Sequence, residues 1–108
     1  MNYKIIPLNN FKKNIKKLQK KYPLIKNDLK ELNNTLQNNP NEGIELGNNC
    51  FKIRVKNSSI PTGKRGGFRV IYYYVYEENI YLMAIYSKSE IENISNDKIL
   101  EILKENGL

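Results

Sequence analysis

Two hydrophobic periods run along this chain. Phe11, Ile15, Leu18 and Tyr22 recur at helical spacing, with lysines filling the other faces. Pro23 breaks that pattern, and a second stripe at Ile25, Leu29, Leu32 and Leu36 ends near Pro40. The spacing predicts two amphipathic helices joined at a proline, both stripes turned to a core. Ahead of them, "NYKIIPL" reads as a short first strand ended by Pro7. Beyond them the period changes to two: Phe51, Ile53 and Val55 alternate with Lys52, Arg54 and Lys56, a half-buried strand with one cationic face.

"IPTGKRGG" is rich in turn formers and closes that strand. Residues 67–76 form a β-branched and aromatic run, Glu77, Glu78 and Asn79 make a turn, and "IYLMAIYSK" is a further long strand. Ser95 can cap a last helix with Ile99, Ile102 and Leu103 on one side and Gly107 beyond its end. The expected fold is α+β: an N-terminal helical hairpin packed on a twisted, mainly antiparallel sheet, with a short C-terminal helix. Helices before a meander suggest that all helices share one sheet face. Residues 1–108 form one domain, long enough for one modest core, with no repeat or linker.

Charge changes the picture in the middle of the chain. The net charge is +7. Nine lysines precede residue 31 against Asp28 alone; Leu46 to Tyr76 holds six cations and no acid; seven acids against three lysines follow from Glu77. The lysines between Lys12 and Lys30 read as a solvated face. The three arginines, Arg54, Arg65 and Arg69, say more, because a guanidinium grips phosphate in a planar, two-pronged way. Strand alternation puts Arg69, Ile71, Tyr73 and Val75 on one side, and pairing can bring Arg69 beside Arg54 or Lys56. Gly66-Gly67 would let a backbone approach closely. The result is a cationic shelf with aromatic neighbours, the kit that holds single-stranded nucleic acid. Taken by itself, the "GKRGGFR" segment is explained as readily by a hairpin with a solvated rim.

Several chemistries are excluded or disfavoured. No histidine is present, and Cys50, the single cysteine, has no histidine partner to activate it. It can form no intramolecular disulfide, which suits a reducing compartment. No carboxylate cluster lies near the basic segment, so neither a metal nor another cofactor is expected. The four apolar residues near the N-terminus are too few for a signal peptide or a membrane span, so a cytoplasmic protein is expected. Metal-free transesterification on RNA remains: the 2′-hydroxyl supplies the nucleophile, arginines neutralise the phosphorane, and a lysine crowded by cations serves in proton transfer.

Two lysine-rich helices followed by "CFKIRVK", "GKRGGFRVIYYYV" and "IYLMAIYSKSE" resemble the RelE/ParE toxin superfamily, near its HigB-like branch. The likeness runs from about Phe11 to Glu90, and "KRGGFRVIYY" with a downstream Tyr-x-Lys is its most specific part. It implies a type II toxin–antitoxin toxin: an endoribonuclease that cuts mRNA in the ribosomal A site, inhibits translation, and is suppressed by a cognate antitoxin. Carried over by position, Arg54, Lys56, Arg65, Arg69, Tyr86 and Lys88 form the expected catalytic set, with Lys52, Lys64 and Tyr73 as RNA-binding residues. Within it, Arg69 and Arg65 would take phosphate charge, Lys56 or Lys88 proton transfer, and Tyr73 or Tyr86 base stacking. Ser89 stands where RelE-type enzymes carry a further arginine, and no tyrosine follows Tyr86. The antitoxin is expected around Ile71, Val75 and the acidic last helix. Two other readings stay open: a ParE-like DNA gyrase inhibitor that cuts nothing, and a non-enzymatic RNA-binding module.

Overall fold

Each apolar stripe becomes a helix and each alternating run a strand. The computed structural model describes residues 3–61, 63, 66–91 and 93–108. Among these, β1 (Ile5–Pro7) leads into α1 (Asn9–Gln19) and α2 (Ile25–Asn38), followed by β2 (Ile44–Gly47), β3 (Cys50–Val55), β4 (Phe68–Tyr74), β5 (Ile80–Ser87) and α3 (Asn96–Glu105). No helix is long and apolar enough to cross a membrane among the described residues. Ser95 caps α3, its side chain accepting from the Lys98 N–H at 3.1 Å, and Gly107 follows the helix at φ 68°.

The described strands form one sheet in the order β1-β5-β4-β3-β2. β1 pairs with β5 in parallel, and every other neighbour is antiparallel. Strand β2 is an addition to the sequence reading. It is short and largely exposed, so it lacks the apolar alternation that marks β3. Its signal is the Gly47-Asn48-Asn49 turn, where φ values of 93°, 51° and 62° use residue types that tolerate the left-handed region.

The helical hairpin covers one face of the sheet. Phe11, Leu18, Tyr22, Ile25, Leu32 and Leu36 pack there against Phe51, Ile53, Val55, Val70 and Tyr72. Phe51 and Tyr72 stack with ring centroids 5.1 Å apart, and the fully buried Tyr72 hydroxyl donates to the Pro40 carbonyl at 2.8 Å. The expectation that all helices share this face is corrected. Helix α3 lies on the opposite one, where Ile99, Ile102 and Leu103 cover Cys50, Ile71, Met83 and Ala84. The reason lies in β4, which is apolar on both sides and therefore needs cover on both. Ile71, expected on an antitoxin-docking face, is fully buried beneath that helix.

A bulge in β5 sets the direction of its last residues. Ile71 pairs with Ala84 but Tyr72 pairs with Leu82, so Met83 is one residue extra. Strict alternation would place Ile80, Leu82, Ala84 and Tyr86 on one face. Instead Ile80, Leu82 and Ile85 face the hairpin, while Met83, Ala84 and Tyr86 face α3. Two α1 asparagines one turn apart serve the backbone groups around the bulge. Asn10 Nδ2 donates to the Met83 carbonyl at 3.0 Å, and Asn14 Oδ1 accepts from the Ile85 N–H at 3.1 Å. Asn14→Ala leaves that N–H without its acceptor, and the expected loss is about 1–3 kcal/mol in urea denaturation.

Burial also sets the response to alkali. The Cys50 thiol is pushed up from 9.0 to about 11, and the Tyr72 phenol from 10.0 to about 12. Both must stay neutral in the fold, whereas the unfolded chain ionises them at the ordinary values. Their contribution to stability is therefore complete below pH 9.0 and declines as pH rises from there. Urea midpoints measured across alkaline pH should fall, and Cys50→Ala should move the onset of the fall from pH 9.0 to about 10, where Tyr72 begins to contribute.

Candidate active site

The bulge and the β3–β4–β5 register produce one row of side chains. Arg54 pairs with Arg69 across β3 and β4, and Arg69 pairs with Tyr86 across β4 and β5. Directly paired residues in an antiparallel sheet share a face and stand about 4.5–5.5 Å apart at Cβ. Two guanidinium groups and a phenol are thus presented side by side.

The three members differ in exposure. Arg54 is exposed, whereas Arg69 is only 5% exposed and its Nη1 donates to the Phe68 carbonyl at 3.2 Å. Burial, and then the repulsion of Arg54, lower the pKa of Arg69; an arginine starts so high that the group stays cationic at neutral pH. Tyr86 is also 5% exposed, and its hydroxyl closes no hydrogen bond of ordinary geometry with a described residue. Burial raises its pKa, against the opposing pull of the Ile94 backbone and the Arg69 charge. At neutral pH it is a protonated phenol, able to donate.

Other cations surround the row. Lys52, two residues before Arg54, is half-buried and its Nζ donates to Asn93 Oδ1 at 3.2 Å. Lys56 is exposed just beyond β3, and Lys88 just beyond β5. The Lys88 backbone N–H donates to the Gly67 carbonyl at 3.1 Å, which fixes where that residue leaves the sheet. Among the described residues, no acid forms an ion pair with Lys52, Arg54, Lys56 or Lys88. No group of three or more Cys, Asp or Glu among them could hold a metal ion. Lys64 and Arg65 lie outside the described residues.

Tyr73 is placed differently. It follows Arg69 by four residues on the same face, roughly 13 Å along the strand. Its ring lies 6.1 Å from that of Tyr81, against the α3 cluster. Gly67 also has a structural use: a Cβ there would overlap the Val55 carbonyl oxygen. The backbone that approaches this glycine closely is therefore β3 itself.

Two anchors absent from the sequence reading tie the hairpin to the segments bearing these cations. Asp28, 2% exposed, accepts from the Ser58 N–H at 3.0 Å and from its hydroxyl, holding the chain just after Lys56. At the other end, Lys21 Nζ meets Glu90 Oε1 at 2.9 Å. The Tyr22 hydroxyl lies 3.4 Å from Ser87 Oγ, and Ser87 and Ser89 bond at 2.8 Å. Hydrogen bonds from Ser87 and Ser89 lower the Tyr22 pKa, with burial opposing. This cluster frames the turn that carries Lys88. A sequence signal did exist for Asp28: it stands three residues after Ile25 and four before Leu32, on the apolar stripe itself.

Comparison with known proteins agrees with this fold. The profile of a family described as the RelE toxin of the RelE/RelB toxin–antitoxin system matches residues 10–106. The solved structure of a mutant of the E. coli toxin RelE in the free state is similar, with a TM-score of 0.60 at 16% identity. The match covers 97% of this chain and 98% of that one, and at this identity it speaks for the fold.

Two like charges paired across strands repel, and this site keeps them together. Arg54→Gln is therefore expected to raise stability by about 0.2–1 kcal/mol at low salt. The gain should shrink as salt is added, in thermal melts at two ionic strengths.

Proposed function

Since this chain belongs to the RelE toxin family, we propose that it is the toxin of a type II toxin–antitoxin pair and acts as a metal-independent mRNA endoribonuclease. Its substrate is mRNA in the ribosomal A site, and its effect is inhibition of translation. The observation that carries this reading is the Arg54–Arg69–Tyr86 row, two cations and a phenol in register on one sheet face.

In the proposed reaction, the 2′-oxygen forms a bond to its adjacent phosphorus as the bond from phosphorus to the 5′-oxygen breaks. The products are a 2′,3′-cyclic phosphate and a 5′-hydroxyl. Arg54 and Arg69 hold the non-bridging oxygens and take up the negative charge that grows there. The 2′-hydroxyl loses a proton to a base, for which Lys56 and Lys88 are the candidates flanking the row, and the 5′-oxygen gains one. Tyr86, a neutral phenol beside Arg69, suits donation to that oxygen or to the phosphate. Lys64 and Arg65 are proposed to add phosphate contacts, and Lys52 to hold RNA beside the row. Tyr73 is left with a packing role. Ser89, with no tyrosine after Tyr86, supports a HigB-like variant of the family.

Family membership implies an antitoxin partner. A groove of about 670 Å³ runs between α2 and the part of β3 beyond its pairing with β2, with the 64%-exposed Ile44 at one end. An open strand edge of this kind suits an extended segment adding as a further strand.

Arg54 is the residue to change, because its exposure lets it be removed without a cavity. Arg54→Ala should keep the melting behaviour of a folded protein and reduce mRNA cleavage about 10²–10³-fold, with 5′-end mapping of transcripts in a translating extract as the readout. Full cleavage by that variant contradicts the proposal. Intact mRNA with inhibited supercoiling points to a gyrase inhibitor instead, and tight RNA binding without cutting to a plain binding module.

A further inference from the structure

A second cavity, of about 260 Å³, opens beside the row. Its lining includes Ile71 from the sheet floor, Ile94 and Ile99 on the α3 side, and the polar groups of Lys52, Tyr86, Asn93 and Asn96. It is smaller than the ~300–1,000 Å³ pockets that take drug-sized ligands, so it suits one flat ring system. Lys52 and Ile71 are direct partners, two residues along β3 and β4 from Arg54 and Arg69. That offset is about 7 Å on the same face, a step one ribose can bridge. The Tyr86 hydroxyl, buried with the Ile94 backbone nearby, borders both the row and the cavity.

We propose that this slot between the α3 end and the sheet holds the nucleobase next to the scissile phosphate and selects keto-bearing over amino-bearing bases. The inference rests on the nuclease reading for its substrate. Its selectivity follows from the donors. Lys52 Nζ is donor-only, and its bond to Asn93 Oδ1 occupies that oxygen as an acceptor. The Asn93 NH₂ is thereby left as the group offered to a ligand, and the Tyr86 O–H adds a third donor. A donor-rich wall matches the carbonyl of guanine or uracil and leaves the amino group of adenine or cytosine unpaired. Ile94, half-buried on the α3 side, supplies apolar surface for a ring face.

The test compares cleavage of ribosome-bound mRNAs that differ only in the base at the cut site, using the wild-type protein and Asn93→Asp. Asn93 is exposed, so the variant should melt like the wild type. The wild type should prefer guanine and uracil by about tenfold, and Asn93→Asp, which replaces a donor with an acceptor, should abolish or reverse that preference. In parallel, the side-chain amide signals of Asn93 and Asn96 should shift with GMP and UMP more than with AMP and CMP. Equal base profiles for the two proteins, or no keto preference in the wild type, overturn the slot. Amide signals that do not distinguish the four nucleotides overturn it independently. A wild type that cuts no mRNA removes the nuclease reading alone, and the nucleotide titration still decides the slot.

Discussion

The single extra residue at Met83 is the constraint on which this surface depends. A strand has a period of two, so one inserted residue exchanges the faces of everything beyond it. Because β5 is bulged there, Tyr86 stands opposite Arg69 on the cationic face and Ile85 enters the core under the hairpin. Asn10 and Asn14 of α1 meet the backbone groups around the bulge from the other side of the sheet. The helical hairpin thus helps to shape the site. Its ends do so again through Asp28 and Ser58 beyond Lys56, and through Lys21, Tyr22 and Glu90 around Lys88.

Electrostatically the two guanidinium groups of the row oppose each other. Arg54 and Arg69 are direct cross-strand partners, and Arg69 is held almost wholly inside the protein. Burial and the neighbouring charge both favour losing the proton, yet an arginine keeps it. Packing fixes the strand that carries Arg69: Phe68, Val70 and Tyr72 hold β4 from the hairpin face, and α3 covers Ile71 from the other. A phosphate placed over the row would relieve the repulsion. That relief would be greatest when its oxygens carry the additional charge of the phosphorane, which is the condition for catalysis rather than mere binding.

Much of this was legible before any coordinates. The stripes through Phe11 and Ile25 gave the hairpin, and alternation through Phe51 to Lys56 gave the cationic face of β3. The side assignments along β4 placed Arg69 where it could meet Arg54. Alternation failed at β5, where no residue type announces the bulge and its stabilising partners lie on a distant helix. The position of α3 was readable in principle, since a strand apolar on both faces demands cover on both. Strand β2 carries little sequence signal, because its side chains are mostly exposed and only its Gly-Asn-Asn turn marks it. Asp28 is the lone acid in a lysine-rich stretch, and its buried role depends on a serine thirty residues away.

The central claim is that the two guanidinium groups of the row act as one anion site. With only three arginines in the chain, their Nε–H signals can be assigned and followed by NMR. The measurement is a titration with an RNA dinucleotide whose 2′-hydroxyl is methylated, so that it binds without reacting. The account predicts that the Arg54 and Arg69 signals move together with one dissociation constant and that methylphosphonate at the linkage abolishes the movement. Independent shifts, or a response at Arg54 while Arg69 stays still, would contradict it.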